Sequence, residues 1–379
     1  MEFIDLAAQQ ARIKDKIDAA IQRVLAHGKY IMGPEVLELE ERLADYVGVK
    51  HCISCASGTD ALLMSLMAYG VGPGDAIFTT PFTFVATGEV ISLLGATPIF
   101  VDIDPKTFNI DPIRLEEAMS DFDQPLVPKG IIPVDLFGLP ADYEGLTTIA
   151  RKHGLFVLED AAQSFGATYK GRKACSLADA AATSFFPAKP LGCYGDGGAI
   201  FTDDDELAEK LQSIRVHGKG SDKYDNVRIG INGRLDTIQA AILLTKLAIF
   251  PDEVLARQKV VDIYSHSLSD IREITTPYVP KDYSSVWAQY SILLENKEQR
   301  EYLQAALQQK GIPTAVYYPK PLHLQTAYVE FGFKKGDNAH SEGVAERILS
   351  LPMGPYLKKK DQDAVVAAIR NTFGCRCHA

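Results

Sequence analysis

Two neighbouring stretches decide how this chain folds: Leu155-Phe156-Val157-Leu158-Glu159-Asp160-Ala161-Ala162-Gln163-Ser164, and Thr183-Ser184-Phe185-Phe186-Pro187-Ala188-Lys189-Pro190-Leu191-Gly192. In the first, an apolar run closes on two adjacent acids. In the second, a β-rich run closes on a serine, a proline turn and a lysine. Working outward, residues 76–80, 97–103, 130–134 and 155–159 have the length and apolar character of strands, and 84–94, 112–119 and 143–153 the pattern of helices between them. Such alternation predicts an α/β fold, a mostly parallel sheet with helices on both faces. Ligands of such sheets lie at the carboxyl ends of the strands, so the residues just after each strand carry the functional reading.

Outside this core, residues 1–30 set Ile13, Ile17, Ile21, Val24 and Leu25 on one helical face. Residues 204–217 and 235–250 read as long helices, and Pro251 breaks the second. Beyond it the pattern changes to strands at 286–294 and 312–318 and helices at 297–310 and 360–371. The expected division is a large domain over 1–250 and a smaller α+β domain over 251–379, in keeping with a chain of 379 residues.

Composition excludes several classes. A net charge of −10 lacks the basic footprint of a nucleic-acid binder. No apolar run approaches a membrane span of about 18 residues. The start, Met1-Glu2-Phe3-Ile4-Asp5, lacks a basic-then-apolar leader, so a cytoplasmic protein is expected. Six cysteines in so long a chain are no disulfide framework. Cys52-Ile-Ser-Cys55 reads as a buried strand, and Cys375-Arg-Cys377-His378 as a terminal tail rather than a metal site. Neither Gly70-Val-Gly72-Pro-Gly74 nor Gly195-Asp-Gly197-Gly198 completes a dinucleotide fingerprint, and no P-loop occurs.

Ser57-Gly58-Thr59 follows a short strand and opens a helix, where free amides and two hydroxyls make an anion site. Alone, it reads better as an ordinary capped helix. Asp160 at a strand end points into the ligand crevice, where a carboxylate can keep a pyridine nitrogen protonated; taken singly, an acid capping the next helix explains it better. Gln163 lies three residues on, within reach of a ring hydroxyl. Lys189 in an apolar segment has a desolvated, more nucleophilic amine, although a surface loop lysine explains it equally well in isolation. Phe84 follows a strand and can stack on a flat ring. The order of all these parts supplies a phosphate cradle, a ring sandwich, a pyridinium partner and an imine-forming amine. Together they point to pyridoxal phosphate (PLP).

On these residues the chain resembles the DegT/DnrJ/StrS sugar-nucleotide aminotransferases, PLP enzymes of fold type I (aspartate-aminotransferase-like). The matching stretches run in order: Gly33-Pro34-Glu35, Ser57-Gly58-Thr59-Asp60-Ala61, Thr83-Phe84-Val85-Ala86-Thr87, Glu159 to Ser164, Ser184 to Lys189, Gly195 to Gly198 and Asn232-Gly233-Arg234-Leu235-Asp236, with Tyr318-Pro319 and Leu351-Pro352 beyond. The resemblance implies Lys189 as the lysine that binds PLP and carries the proton, with Asp160 on the pyridine nitrogen. It also implies Gln163 on the ring hydroxyl, Phe84 stacked on the ring, and Ser57, Gly58, Thr59 and Ser184 around the phosphate. Asn232 would reach the phosphate of a neighbouring subunit, which implies a homodimer. Many relatives have serine where this chain has Ala188.

Phe3-Ile4-Asp5-Leu6 and the run from Gly28 to Pro34 are similar to enzymes that aminate C3 of a UDP-linked 3-keto-2-acetamido uronic acid for surface polysaccharide such as lipopolysaccharide O-antigen. The resemblance then implies glutamate as amino donor and Tyr30, Met32, Gly33, Arg234, Tyr317 and Tyr318 on the substrate side. Arg234 would face the uronic carboxylate, and an ordinary ion pair at a dimer interface explains it equally. Tyr317 stands where such enzymes have histidine. Two other readings stay open: amination at C4 of a UDP- or dTDP-4-keto hexose, and a non-catalytic regulatory protein on the same fold.

Overall fold

The computed structural model describes residues 1–222 and 224–374. Its main sheet has seven strands, in the spatial order His51–Cys55, Gly198–Thr202, Ala180–Ser184, Phe156–Asp160, Val127–Ile132, Asp75–Thr79 and Thr97–Phe100. Only Gly198–Thr202 runs against its neighbours, pairing antiparallel with the strands on either side. The remainder of the sheet is parallel.

The small residues Ala180, Ala181 and Ala182 show how sequence sets the layers. Successive strand side chains point to opposite faces. Ala180 and Ala182 join Leu62, Leu66 and Ile200 under helix Gly58–Ala68, while Ala181 joins Leu39, Leu43, Phe165 and Phe201 on the other face. Leu62 and Leu66 are almost wholly buried, each stabilising the fold by about 1.5–3 kcal/mol. These helices cover both faces, so a ligand site is expected at the sheet's carboxyl end.

A second sheet, all antiparallel, consists of Ile274–Thr275, Tyr290–Leu294 and Ile348–Leu351. Helices Phe250–Leu268, Lys297–Gln309 and Lys359–Thr372 pack on it around Tyr264, Tyr290, Leu303, Leu307, Val365 and Ile369.

The structure corrects several sequence expectations. Residues 235–250 are not one helix: Thr237–Leu247 ends before Pro251, which sits in the first turn of Phe250–Leu268. Proline lacks the amide that a first turn leaves unpaired, so it starts a helix as readily as it stops one. Residues 312–318 form no strand, joining the second sheet only through a bridge from Ala315 to Ser350. Pro313 and Pro319 flank the segment and cannot donate to a ladder. In the helix Leu6–His27, Leu25 is 45% exposed, and Ala20 takes its expected place beside Ile13, Ile17 and Val24. Cys52 and Cys55 are buried free thiols in a strand, as expected. Cys375, Cys377 and His378 lie outside the described residues.

Candidate active site

The strand Phe156–Asp160 ends on its acid, so Asp160 stands at the carboxyl edge of the sheet, 4% exposed. Its Oδ2 accepts a hydrogen bond from Thr87 Oγ1 at 2.8 Å and its Oδ1 one from the Ala162 amide at 3.2 Å. Burial raises the affinity of this carboxyl for its proton. The Thr87 hydroxyl, the Ala162 amide and the charge of Lys189 pull the other way. For Lys189, desolvation lowers the pKa and Asp160 partly restores it. The two groups therefore sense each other inside one water-poor pocket. An amine in that position is closer to its neutral, nucleophilic form than a surface lysine.

Lys189 is presented by a short connection whose ends lie side by side, since Ser184 and Gly198 are register partners. The Lys189 amide donates to Phe186 O at 2.8 Å, closing the proline turn. Next to it, helix Gly58–Ala68 begins with Ser57 as N-cap, its hydroxyl accepting from the Asp60 amide at 3.0 Å. The amides of Gly58 and Thr59 fall in the first turn, where a helix has no carbonyl to offer them. A Cβ on Gly58 would come within 2.6 Å of Ser184 Cβ, so only glycine lets helix start and serine close together into one cradle. One feature opposes an anion here: Asp60 lies close enough to Asp196 for their charges to repel, which together with burial raises the Asp60 pKa.

Gln163 is held on both sides. Its Oε1 accepts from the Phe137 amide at 2.9 Å, and its Nε2 donates to the Tyr318 hydroxyl at 3.4 Å. Phe84 is 53% exposed, with its ring 6.4 Å from that of Tyr318. Tyr318 follows Tyr317 through a cis peptide bond, and the Tyr317 ring meets Phe3 edge-on at 6.3 Å. Burial first, then the charge of Asp160, pushes the Tyr318 hydroxyl above its ordinary range.

Another cluster forms around the start of helix Thr237–Leu247. Ile31 bridges to Asp236, Tyr30 O accepts from the Thr237 amide, and the Gly33 amide donates to Thr237 Oγ1 at 3.0 Å. Met32 adopts a φ of 50° between them. Gly233 O accepts from the Ala56 amide, which ties this cluster to the Ser57 turn. Arg234 Nε is buried with no hydrogen-bond partner among the described residues. Asn232 is exposed and bridges Val216, so within one chain it is not gathered around Lys189.

Thr87 is the neighbour of Asp160 for which no role was read from the sequence. Its one signal is position: it follows Phe84 by three residues and therefore lies about one helical turn further on.

A desolvated amine beside a buried carboxylate, next to an anion cradle that only glycine permits, fits PLP in each of its three parts. On this sheet they define the class: the chain is a PLP-dependent aminotransferase of fold type I. More particularly, it belongs to the DegT/DnrJ/EryC1/StrS aminotransferase family, which it matches over residues 11–370. It is 54% identical over 371 residues to UDP-2-acetamido-2-deoxy-3-oxo-D-glucuronate aminotransferase of Pseudomonas aeruginosa, covering 98% of this chain and 100% of the relative. A DegT DnrJ EryC1 StrS aminotransferase from Brucella abortus superposes with a TM-score of 0.94 at 53% identity, over 99% of this chain and 100% of that one. NtdA from Bacillus subtilis, solved with bound cofactor PMP, superposes with a TM-score of 0.88 at 32% identity, over 95% of this chain and 82% of that one.

Proposed function

We propose that this enzyme moves an amino group from glutamate to C3 of a UDP-linked 2-acetamido-3-keto uronic acid destined for surface polysaccharide, working as a cytoplasmic homodimer. The observation that carries the reading is the full-length likeness to the Pseudomonas aeruginosa relative. Arg234 adds support, because a buried guanidinium N–H without a partner suits the planar carboxylate of a uronic acid. Residues 1–250 are read as the cofactor-binding domain and 251 onward as the smaller one.

In this reading Ser57, Gly58, Thr59 and Ser184 hold the phosphate, joined by Asn232 of a second copy. Asp160 holds the ring nitrogen, Gln163 the ring hydroxyl, and Phe84 covers one ring face. Bound PLP supplies the electron sink that lets a proton leave carbon next to nitrogen. Lys189 does the rest from this chain. Its Nζ holds the cofactor at rest and then carries the proton, taking it from glutamate in one half-reaction and delivering it on the sugar side in the other. Desolvation by the walls of the site lowers the pKa of that amine, so it gives up its proton more readily than a surface lysine. The Thr87 hydroxyl favours the ionised form of Asp160. Tyr30, Met32, Gly33, Arg234, Tyr317 and Tyr318 form the substrate side.

Incubation with glutamate and a panel of 3-keto and 4-keto sugar nucleotides, neutral and uronic, tests the assignment by mass spectrometry and NMR. Amination at C3 of the uronic acid is expected. A preference for C4, or for the neutral sugar, overturns the substrate assignment and leaves the class intact.

A further inference from the structure

Behind Asp160 the chain buries two more carboxyl groups that the proposed chemistry does not use. Asp135 and Glu159 are both 0% exposed, and neither has an ion-pair partner among the described residues. Burying two acids without a cation is costly unless every lone pair is occupied and a proton is shared. Here every carboxyl oxygen of the pair has at least one donor. Asp135 Oδ1 accepts from the Ala141 amide at 2.9 Å and from the Tyr143 hydroxyl at 2.8 Å, and its Oδ2 accepts from Ser164 Oγ at 2.7 Å. Glu159 Oε1 accepts from the Cys175 amide at 2.6 Å and Oε2 from the Leu177 amide at 3.0 Å. The two carboxyl groups are also near enough for the charge of Asp135 to add to burial in raising Glu159.

The main chain around Asp135 reaches the site directly. The Asp135 amide donates to Asp160 O at 3.1 Å. Ser164 follows Gln163 in sequence, and the turn that Asp135 braces through Ala141 carries the Phe137 amide that binds Gln163. Phe137 holds a φ of 57°, a conformation that a phenylalanine keeps only when its surroundings fix it.

We propose that Asp135 is a positioning residue of the aminotransferase site, clamping the turn that carries Gln163 and the strand end that carries Asp160. The inference rests on the roles assigned above to Asp160 and Gln163. A carboxylate suits the position because three donors converge on Asp135, an amide and two hydroxyls, shared between both of its oxygens. A carboxylate offers about four acceptor positions, whereas asparagine offers two and adds two donors of its own. Burial and then the charge of Asp135 raise Glu159 well above the usual carboxylate range. Asp135 is pushed up by burial to about 6, against the pull of Ala141, Ser164 and Tyr143. The other titratable groups facing the pair are Tyr143, Cys175 and Asp160.

The test compares Asp135→Asn with the milder Ser164→Ala, which removes one donor and keeps the fold accessible if the first variant does not fold. Two quantities are measured: the dissociation constant of PLP for the apoenzyme, and the pH midpoint of the visible absorption change of the loaded enzyme. Wild type and Asp160→Asn serve as references. Both clamp variants are expected to bind PLP at least about threefold more weakly and to shift the midpoint in the same direction as Asp160→Asn, because a displaced carboxylate stabilises neighbouring positive charge less well. If Asp160→Asn responds and both clamp variants match wild type, even with a lowered melting temperature, Asp135 is scaffold only and the proposal is overturned. If Asp160→Asn itself changes neither quantity, the assignment of Asp160 fails and the clamp falls with it.

Discussion

Replacing Thr87 with valine removes a single hydroxyl and keeps the side-chain volume at a site that is 1% exposed. That hydroxyl gives Asp160 the shorter of its two hydrogen bonds, 2.8 Å against 3.2 Å from Ala162. A hydrogen bond to a charged group contributes about 1.5–3 kcal/mol. Converted at about 1.4 kcal/mol per tenfold, its loss favours the protonated form of Asp160 by roughly ten- to a hundredfold. The sign follows from which form is stabilised. Thr87 donates to the anion, so without it the anion is less stable and the proton is held to higher pH. Burial already holds Asp160 above the ordinary carboxylate range. The acid limb of the pH profile of kcat should therefore move upward by about one unit or more in Thr87→Val. Thr87→Ser, which restores a donor, should return it toward wild type. Steady-state assays across the pH range, with glutamate saturating, decide the matter. An acid limb in Thr87→Val that superimposes on wild type refutes the reasoning, because Asp160 is then either not the controlling acid or not tuned by this hydroxyl.

Borohydride reduction of the loaded enzyme followed by peptide mapping should find the pyridoxyl group on Lys189, and labelling of a different lysine removes that assignment. Gly58→Ala brings a Cβ within 2.6 Å of Ser184 Cβ, an overpacking that costs about 1–3 kcal/mol and should weaken PLP binding roughly tenfold; unchanged affinity by absorbance titration shows that the cradle is elsewhere. Arg234→Ala should lower efficiency toward the uronic acid about ten- to a hundredfold while sparing the glutamate half-reaction, as read by stopped-flow spectra of the two half-reactions; loss confined to the glutamate step assigns the arginine to the donor instead. The pair Asp135 and Glu159 has raised pKa values in the fold, so the folded chain binds protons that the unfolded chain has released. Its contribution to stability is whole below the ordinary carboxylate range and declines as pH rises through about 6. Apoenzyme melting temperatures should accordingly fall from about pH 5 to about pH 8, and less steeply in Asp135→Asn. An equal slope in both proteins assigns the pH dependence to other groups.

The parts of the site that lie on continuous local patterns were legible in the sequence. Asp160 and Lys189 were found because each follows an apolar run whose period marks a strand, and the Ser57 turn because a strand passes directly into a helix. What required the third dimension was any pairing between distant residues. Thr87 and Asp160 are 73 positions apart, and nothing local to Thr87 marks it as the partner of an acid. Asp135 carries no local mark of its role, because Ser164, which it binds, lies 29 positions away. The helix at Phe250–Leu268 was missed since Pro251 was read as a stop, whereas the residue's missing amide is equally compatible with a start. Residues 312–318 have strand composition but give their hydrogen bonds little opportunity, and their use is to deliver Tyr317 and Tyr318 beside Gln163.

The reversed strand Gly198–Thr202 has a consequence for how the enzyme is born. It folds back on Ala180–Ser184, its neighbour in sequence, so this hairpin closes over a short stretch of chain, although its loop also bonds Gln239 and Lys246. Its other edge pairs with His51–Cys55, a partner far earlier in the chain, and that pairing sets Ser57 and Gly58 against Ser184. Contacts distant in sequence form late because long loops must close first. On that ground the hairpin carrying the lysine is expected to close before the anion cradle, so that cofactor capture marks completion of the sheet rather than its beginning.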